Sequence, residues 1–410
     1  YKRQLLFDPD SLCPEFVALQ LKWRVIEFKH ISRGTTISGV TKRQLESTPF
    51  ALPPLPEQRR IAAEIEKQFT RIDSGTQVLE RAARRIEKFR EDVLNLGTTG
   101  DLSREWRKIH AGGENEGPNL LSWILHQRRQ GWLTAKKSIK GYKEPLIPQT
   151  SKPAQLPNTW SSATLETIGI PEREYMKTGP FGLSLGKEDY RSDGIPIIGI
   201  ENIGENTYVR GSKKFVSREK ARALSSYTLI AGDVIISRSG TVGQVCVIPP
   251  DVEGVMSTNL IRIRLNGTVA EPNFIALVLN GSRLVAKQVA ELCSGSTRDF
   301  LNHAILESLT IPIPPLGEQI FILEIVSELE SLFSSIQISL EKCKAGSTAL
   351  RMSILAKAFS GQLVPQDPND EPASVLLERI RRERAGVPAK AGRNHRRACS
   401  TDLELALESN

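Results

Sequence analysis

The side chains that most often carry catalysis occur in this chain without the spacing that catalysis needs. The glycine-rich stretch Gly240-Thr241-Val242-Gly243 lacks the Lys-Ser/Thr pair of a phosphate-binding loop, and no Gly-x-Ser-x-Gly turn presents a nucleophilic serine. The five histidines have no metal-ligand spacing, and the five cysteines form no CxxC pair. We therefore expect neither a catalytic centre nor a metal site in this chain. Unpaired cysteines also indicate free thiols in a reducing cytosol.

Polar and basic side chains near the turns of residues 156–315 suit a different chemistry, the recognition of nucleic acid. Arginine and lysine can pair with phosphates or with the guanine edge, and asparagine can pair with adenine. The candidates are Lys177, Arg191, Asn202, Tyr208, Lys213, Lys214, Arg238, Ser239, Thr241 and Arg298. Arg238 and Arg298 rank first, because each sits beside a Gly-Ser turn that can aim a side chain outward. Each residue taken singly also fits an ordinary solvated surface.

The net charge of +8 hints at a polyanionic partner, although such a charge also simply keeps a protein in solution. Residues 103–155 carry 10 basic and 4 acidic side chains, whereas residues 156–315 carry 16 of each. The excess therefore lies mostly in a linker, and a basic face on residues 156–315 must arise from folding. No apolar run reaches the roughly 18 residues that a membrane span needs.

An internal duplication organises the elements that would position these side chains. Pro53-Pro54-Leu55-Pro56-Glu57-Gln58 recurs 261 positions later as Pro314-Pro315-Leu316-Gly317-Glu318-Gln319, and the same offset aligns further residues over a stretch of about seventy, the mark of a repeated structural unit. Residues 118–129 and 372–384 each predict a short amphipathic helix that ends in basic residues. Residues 386–410 are expected to form a disordered tail.

Each copy continues into apolar residues that recur every seven positions, which predicts a pair of coiled-coil helices. The residues expected to pair the helices are Ile65, Ile72, Leu79, Ile86, Val326, Phe333 and Leu340. The pair is expected to be antiparallel, with facing positions whose numbers add up to 415. Gly75 would then face Leu340 and Ala82 would face Phe333, so that small residues oppose large ones. Two surface helices on separate cores remain the alternative.

Residues 156–315 mix strands with short helices. Runs of β-branched and apolar residues predict strands at 195–200, 234–237, 245–248 and 260–265. Helices are expected at 217–224, 272–279 and 282–292.

Several of these motifs resemble one known family. Residues 52–66 and 313–319 are similar to the opening of the conserved helices in type I restriction-modification specificity subunits. Gly194-Ile195-Pro196 and Gly232-Asp233-Val234-Ile235 resemble turn and strand motifs of that family's target-recognition domains. Residues 295–297 and 311–315 resemble their closing segment. The resemblance covers nearly all of residues 1–385.

The resemblance implies an α+β fold, with mixed α/β target-recognition domains joined by long antiparallel coiled-coil helices. It implies a non-catalytic, cytoplasmic subunit that recognises a bipartite site on double-stranded DNA for methyltransferase (M) and restriction/translocase (R) subunits. S-adenosylmethionine, ATP and Mg would belong to those partners. The expected domains are the end of a first recognition domain at 1–52, a long helix at 53–102, a short helix and basic linker at 103–155, a second recognition domain at 156–315, a second long helix at 316–363, and a short helix and flexible tail at 364–410.

One departure from the family pattern concerns the first recognition domain. Applying the 261-residue offset to position 156 places its start about 105 residues before Tyr1. We therefore expect a specificity subunit truncated at its N-terminus, with Pro14 and Phe16 matching Pro272 and Phe274. Such a chain could also serve a modification-only system, or be a degraded scaffold that binds methyltransferase subunits without reading a defined site. Both alternatives stay open.

Overall fold

A computed structural model of the chain describes residues 10–24, 43, 46–110, 112, 116–136, 139–148, 156–171, 173–181, 184–204, 206–238, 243–293 and 301–386. The expected tail at 387–410 and most of residues 1–52 lie outside the described residues. The described part of the chain falls into two compact units. One combines residues up to Arg81 with those from Ser339 onward, and the other spans Ala82–Ile338.

The described helices are numbered here in chain order. They are α1 (Pro14–Trp23), α2 (Leu55–Thr99), α3 (Arg104–His110), α4 (Pro118–Lys136), α5 (Leu165–Ile168), α6 (Arg218–Ala223), α7 (Pro272–Gly281), α8 (Arg283–Cys293), α9 (His303–Ser308), α10 (Leu316–Phe359) and α11 (Ala373–Gly386). None of them combines the length and apolar character needed to cross a bilayer. The two long helices and both short helices predicted after them are thus present.

The ten strands found among the described residues are short, and all belong to the second unit. They are β1 (Ser161–Ala163), β2 (Met176–Thr178), β3 (Ile195–Ile198), β4 (Phe215–Val216), β5 (Thr228–Leu229), β6 (Val234–Ser237), β7 (Val245–Val247), β8 (Gly254–Met256), β9 (Leu260–Ile263) and β10 (Ile311–Ile313). The four strands predicted from the sequence correspond to β3, β6, β7 and β9. The three predicted helices correspond to α6, which lies between β3 and β6, and to α7 and α8, which follow β9. The mixed α+β fold class is confirmed.

Three sheets build the domain at residues 156–315. An antiparallel sheet has the order β2-β9-β6-β7, and a mixed sheet has the order β4-β3-β8-β5, in which β3 and β8 run parallel. In the third, β1 pairs with β10, with Ser161 opposite Ile313. This last pairing joins the first and last strands of the domain, so the chain enters and leaves it at one place.

Two polar side chains inside this domain form several specific hydrogen bonds each. The carboxylate of Asp233 accepts two hydrogen bonds from Arg264, at 2.7 and 2.8 Å, and one from the backbone of Ile230 at 2.9 Å. Arg262 on β9 donates to the carbonyl oxygens of Ser226 and Glu174, both at 3.2 Å. Arg262 on β9 and Arg264 just after it therefore tie this strand to the segments around Glu174, Ser226 and Asp233.

The first unit packs α1 between the start of α2 and the end of α10. Phe16, Ile61, Ile65 and Leu355 form its buried core. The rings of Phe16 and Phe359 meet edge to face, with 5.5 Å between their centroids. Aromatic and aliphatic contacts of this kind bury apolar side chains from all three segments.

The helix-pairing residues differ in how deeply the structure buries them. Ile65, Val326 and Phe333 are buried, whereas Ile72, Leu79, Ile86 and Leu340 are only partly buried.

The register of the long helices differs from the expected one. In the second unit Phe333 contacts Phe89, with ring centroids 5.8 Å apart, and not Ala82. Arg90 binds Glu330 in the same unit, while in the first unit the guanidinium of Arg351 lies 5.0 Å from the ring centre of Phe69. The numbers of facing residues therefore add up to between 420 and 424, and not to 415.

A slip of about one heptad explains the error, because a seven-residue shift returns apolar positions to the seam. The proposed contact of Gly75 with Leu340 is wrong for the same reason. A Cβ atom placed on Gly75 would have no atom within 4 Å, and the same holds at Gly346. Both glycines are exposed, so they do not receive large side chains from the facing helix.

Candidate DNA interface

The ends of three strands of the antiparallel sheet meet at one edge of the domain at residues 156–315. The backbone N–H of Gly179, just after β2, donates to the carbonyl oxygen of Leu260 at 3.0 Å. The N–H of Arg238, just after β6, donates to the carbonyl oxygen of Asn259 at 3.0 Å. Residues 179, 238 and 259 are therefore neighbours, and the segments that follow β2 and β6 leave the sheet side by side.

Glycine at position 179 permits this close approach. A Cβ atom there would lie 1.9 Å from the carbonyl oxygen of Ser257, a distance that no side chain can occupy. The segment after β2 can therefore lie directly against the segment between β8 and β9. Phe181, two residues further on, is consequently placed beside Arg238.

The guanidinium of Arg238 lies over the ring of Phe181, 5.1 Å from its centre, and that ring is 55% exposed. Burial lowers the pKa of Arg238 from its ordinary value. The ring face attracts the cation and restricts its orientation. The guanidinium of Arg238 is therefore partly desolvated in the folded protein. An exposed phenylalanine can also contact the methyl group of thymine.

A histidine completes this edge. His303 Nε2 lies 2.8 Å from Thr178 Oγ1, at the end of β2. Burial lowers the pKa of His303, Glu307 raises it and Arg238 lowers it. The imidazole is therefore held in its neutral form at pH 7, and does not add a second positive charge beside Arg238.

Three of the sequence candidates, Ser239, Thr241 and Arg298, lie outside the described residues. The described residues that flank them belong to the same edge. The N–H of Gly243 donates to Ser237 at 2.9 Å, and a Cβ atom on Gly243 would lie 3.5 Å from Leu301. Arg238, Gly243 and Leu301 thus all lie at this edge.

A second group of candidates lies beside the mixed sheet. Arg191 and Phe215 exchange two backbone hydrogen bonds, at 2.8 and 3.2 Å, so Arg191 lies next to the segment that carries Lys213 and Lys214. The ammonium of Lys214 lies 5.0 Å from the ring centre of Tyr190. Arg191, Lys213 and Lys214 are all exposed. Together they form a basic surface suited to phosphate groups.

Asn202 is wrong as a base-reading candidate, because its amide is fully used inside the protein. It is buried, and its Oδ1 accepts from the N–H of Gly199 at 2.9 Å. Its Nδ2 donates to the carbonyl oxygens of Val209 and Gly211 at 2.9 and 2.7 Å. Asn202 therefore holds the turn that carries Tyr208.

Tyr208 and Lys177 are also tied to the protein. Tyr208 is partly buried against the cluster around Ile203, and burial, followed by the nearby Cys246, raises its pKa. Lys177 Nζ lies 3.1 Å from a carboxylate oxygen of Glu174 and 4.7 Å from the ring centre of Tyr227. Lys177 is half-buried in these contacts and correspondingly less available to a phosphate.

Phe181, Thr178 and His303 were not among the sequence candidates. The Gly179-Pro180 pair before Phe181 marks a turn and could have drawn attention to it. A lone histidine gives no such signal. In the described part of the chain, no cluster of His, Cys, Asp or Glu side chains is arranged to hold a metal ion.

The strand edge with its half-buried arginine and exposed aromatic ring, the separate basic surface and the duplicated helical scaffold are features expected of a nucleic-acid-binding protein. The comparisons with known proteins specify it. The model of the type I restriction modification DNA specificity domain matches residues 4–82 and 182–342. The chain belongs to this family, and its function is that of a DNA specificity subunit.

Individual relatives are distant in sequence, but their alignments cover most of this chain. The chain is 24% identical over 365 residues to the type I restriction enzyme EcoBI specificity subunit of Escherichia coli, covering 87% of this chain and 69% of that protein. It is 24% identical over 401 residues to the EcoDI specificity subunit of Escherichia coli, covering 95% and 81%. A solved chain of a type I restriction-modification system superimposes with a TM-score of 0.59 at 18% identity, covering 87% of this chain and 73% of that one. This last similarity concerns the fold.

Proposed function

We propose that residues 156–315 read one part of a DNA site through the edge that carries Arg238 and Phe181. The half-buried guanidinium of Arg238, stacked on an exposed ring, is the observation that supports this proposal most directly. An arginine can donate two hydrogen bonds to guanine, and such a contact contributes about 1–3 kcal/mol of discrimination between bases. The exposed lysines at 213 and 214 would contact the phosphates.

The partners and cofactors follow from this role. The chain would direct methyltransferase subunits, and a restriction/translocase subunit where one is present, to a bipartite site on double-stranded DNA. S-adenosylmethionine, ATP and Mg would be bound by those subunits, and this chain would catalyse neither methyl transfer nor cleavage. Because the DNA that this chain would recognise is cellular or incoming DNA, we propose that the chain acts in the cytoplasm.

Two substitutions separate base reading from phosphate binding. With Arg238→Ala, in a complex with the methyltransferase subunits, preference for the base that Arg238 reads should fall by about tenfold or more, corresponding to 1.4 kcal/mol or more. With Lys213→Ala, affinity should fall equally for all sequences, and the dependence of binding on salt should become weaker. Mapping of methylated bases in a random-sequence DNA library measures the first effect, and salt titrations measure the second.

Arg238→Lys is the matched control, because it keeps the charge and loses the two-pronged donor geometry. It should lose base preference almost as fully as Arg238→Ala while retaining more affinity. An unchanged methylation motif in Arg238→Ala would refute reading by Arg238. Methylation by the wild-type complex at no defined motif would instead favour a scaffold that reads no site.

A further inference from the structure

The glutamine at the fourth position of the first long helix ties that helix to the start of α1. Gln58 is completely buried. Its Oε1 accepts a hydrogen bond from the backbone N–H of Cys13 at 2.9 Å. Its Nε2 donates to the carbonyl oxygens of Ser11 at 3.4 Å and Pro53 at 2.9 Å. All the hydrogen-bonding directions of this amide except one lone pair are therefore occupied.

The equivalent glutamine of the second long helix makes the same three bonds. Gln319 is also completely buried. Its Oε1 accepts from the N–H of Glu271 at 2.8 Å, and its Nε2 donates to the carbonyl oxygens of Val269 and Pro314 at 3.0 and 2.9 Å. The bond is kept although 48 positions separate Gln319 from Glu271 and 45 separate Gln58 from Cys13. The arrangement has thus persisted through a change in the length of the intervening chain.

The backbone groups held in this way are the entry points of helices. Cys13 directly precedes Pro14 of α1, and Glu271 directly precedes Pro272 of α7. Proline fixes the backbone at the first position of each helix. A bond to the preceding residue consequently fixes the position and direction of the whole helix. Apolar packing alone tolerates sliding, whereas hydrogen bonds to three backbone groups are directional.

Only an amide side chain can make this set of bonds. The site needs one acceptor and two donors. The planar amide of glutamine carries one carbonyl oxygen and two N–H groups and so supplies all three. A glutamate of the same shape would place carboxylate oxygens against two carbonyl oxygens and lose both donated bonds. Gln→Glu is therefore a substitution that removes the hydrogen bonds and leaves the volume unchanged.

We propose that Gln58 and Gln319 are positioning residues for DNA recognition. Each one fixes the orientation of a recognition-domain helix, α1 or α7, on the long helix beside it. This inference rests on the proposed function, because orientation matters only if the domain reads DNA. The glutamines contact no DNA; they set where the reading surface stands relative to the helix that carries it. They therefore control the spacing of the recognised bases, and the reading side chains control which bases are chosen.

The experiment compares Gln319→Glu with the wild type in a complex with the methyltransferase subunits on a random-sequence DNA library. The recognised bases should stay the same. The number of base pairs between the two recognised parts, or between one part and the methylated base, should become less strictly defined. We expect the preference for the wild-type spacing over spacings one base pair longer or shorter to fall about tenfold, the effect of losing one to two hydrogen bonds.

Gln288→Glu is the matched control. Gln288 also forms two hydrogen bonds with one backbone residue. Its Oε1 accepts from the N–H of Thr310 at 2.8 Å, and its Nε2 donates to the carbonyl oxygen of Thr310 at 2.9 Å. Both residues lie within the recognition domain, so this variant should lower thermal stability without changing the spacing. Gln58→Glu provides a second test on the other helix.

The outcomes separate the two proposals. Relaxed spacing in Gln319→Glu or Gln58→Glu, with unchanged bases and a strict spacing in Gln288→Glu, supports the positioning role. Spacing as strict as in the wild type overturns it and leaves the proposed function intact. Failure of both glutamine variants to fold would assign the bonds to the fold itself and overturn the positioning role as well. A wild-type complex that selects no sequence would overturn the proposed function first.

Discussion

Removing either partner of the Arg90–Glu330 ion pair tests the register of the long helices in the second unit. The Nε atom of Arg90 lies 2.9 and 2.8 Å from the two carboxylate oxygens of Glu330. The side chains are 20% and 29% exposed. Under the register first expected from the heptads, with numbers adding up to 415, Arg90 would instead face Ile325. A measurable coupling between Arg90 and Glu330 therefore distinguishes the two registers.

The size of this coupling follows from the geometry. At a separation of 2.8 Å the Coulomb attraction is about 1.5 kcal/mol in bulk water, and about 6 kcal/mol at an effective dielectric constant of about 20. Desolvation of the two partly buried groups and ordering of their side chains offset much of the larger figure. We expect a net coupling of about 1–2 kcal/mol, above that of exposed pairs.

A double-mutant cycle measures it. The free energy of unfolding in urea is determined for the wild type, Arg90→Ala, Glu330→Ala and the double variant, and the departure from additivity is the coupling. Glu87 is the control, because it lies 3.7 Å from Arg90 on the same helix and is 60% exposed. Its coupling should stay below about 0.5 kcal/mol. A coupling between Arg90 and Glu330 no larger than that of Arg90 and Glu87 would refute the register.

Two further predictions concern protonation and catalysis. Burial lowers the pKa of His303, so the folded state favours the neutral imidazole. The stability that this gives is present above the ordinary histidine pKa of about 6.5. It is lost as the pH falls below that value, because the unfolded state then binds the proton more readily. Urea unfolding should therefore show a steeper loss of stability from pH 7 to pH 5 in the wild type than in His303→Gln, and equal slopes would contradict the assignment. The purified chain with S-adenosylmethionine and DNA should transfer no methyl group, and incorporation of label into DNA would overturn the non-catalytic role.

The sequence predicts elements well where one local pattern decides the outcome. The run at 234–237 is apolar and β-branched, and it forms the buried strand β6. The heptads predict two long helices, and both are present. They do not predict the register, because a shift of one heptad leaves the apolar seam unchanged. The contacts that select the register, such as Arg90 with Glu330, belong to side chains outside the repeating pattern.

The candidate site is harder to predict, because a side chain's role depends on groups distant in the sequence. Asn202 has the chemistry to read adenine, and only the fold shows that its amide holds Val209 and Gly211. Phe181 becomes a partner of Arg238 through the close approach of Gly179 to Ser257. That approach joins residues about 60 and 80 positions apart, and no local pattern encodes such a contact.

The duplicated motif shows which features of the helices both copies require. The glutamine bonds recur in both copies with the same atoms. The contacts between the helices recur in position but not in residue type: Arg90 pairs with Glu330, whereas its equivalent, Arg351, lies over Phe69, the equivalent of Glu330, and also binds Asp73. Any favourable pair of side chains at matching positions along the two helices can maintain the register, so these partners can change. The entry of a recognition helix has to be fixed by one acceptor and two donors at one place, so that residue has stayed the same.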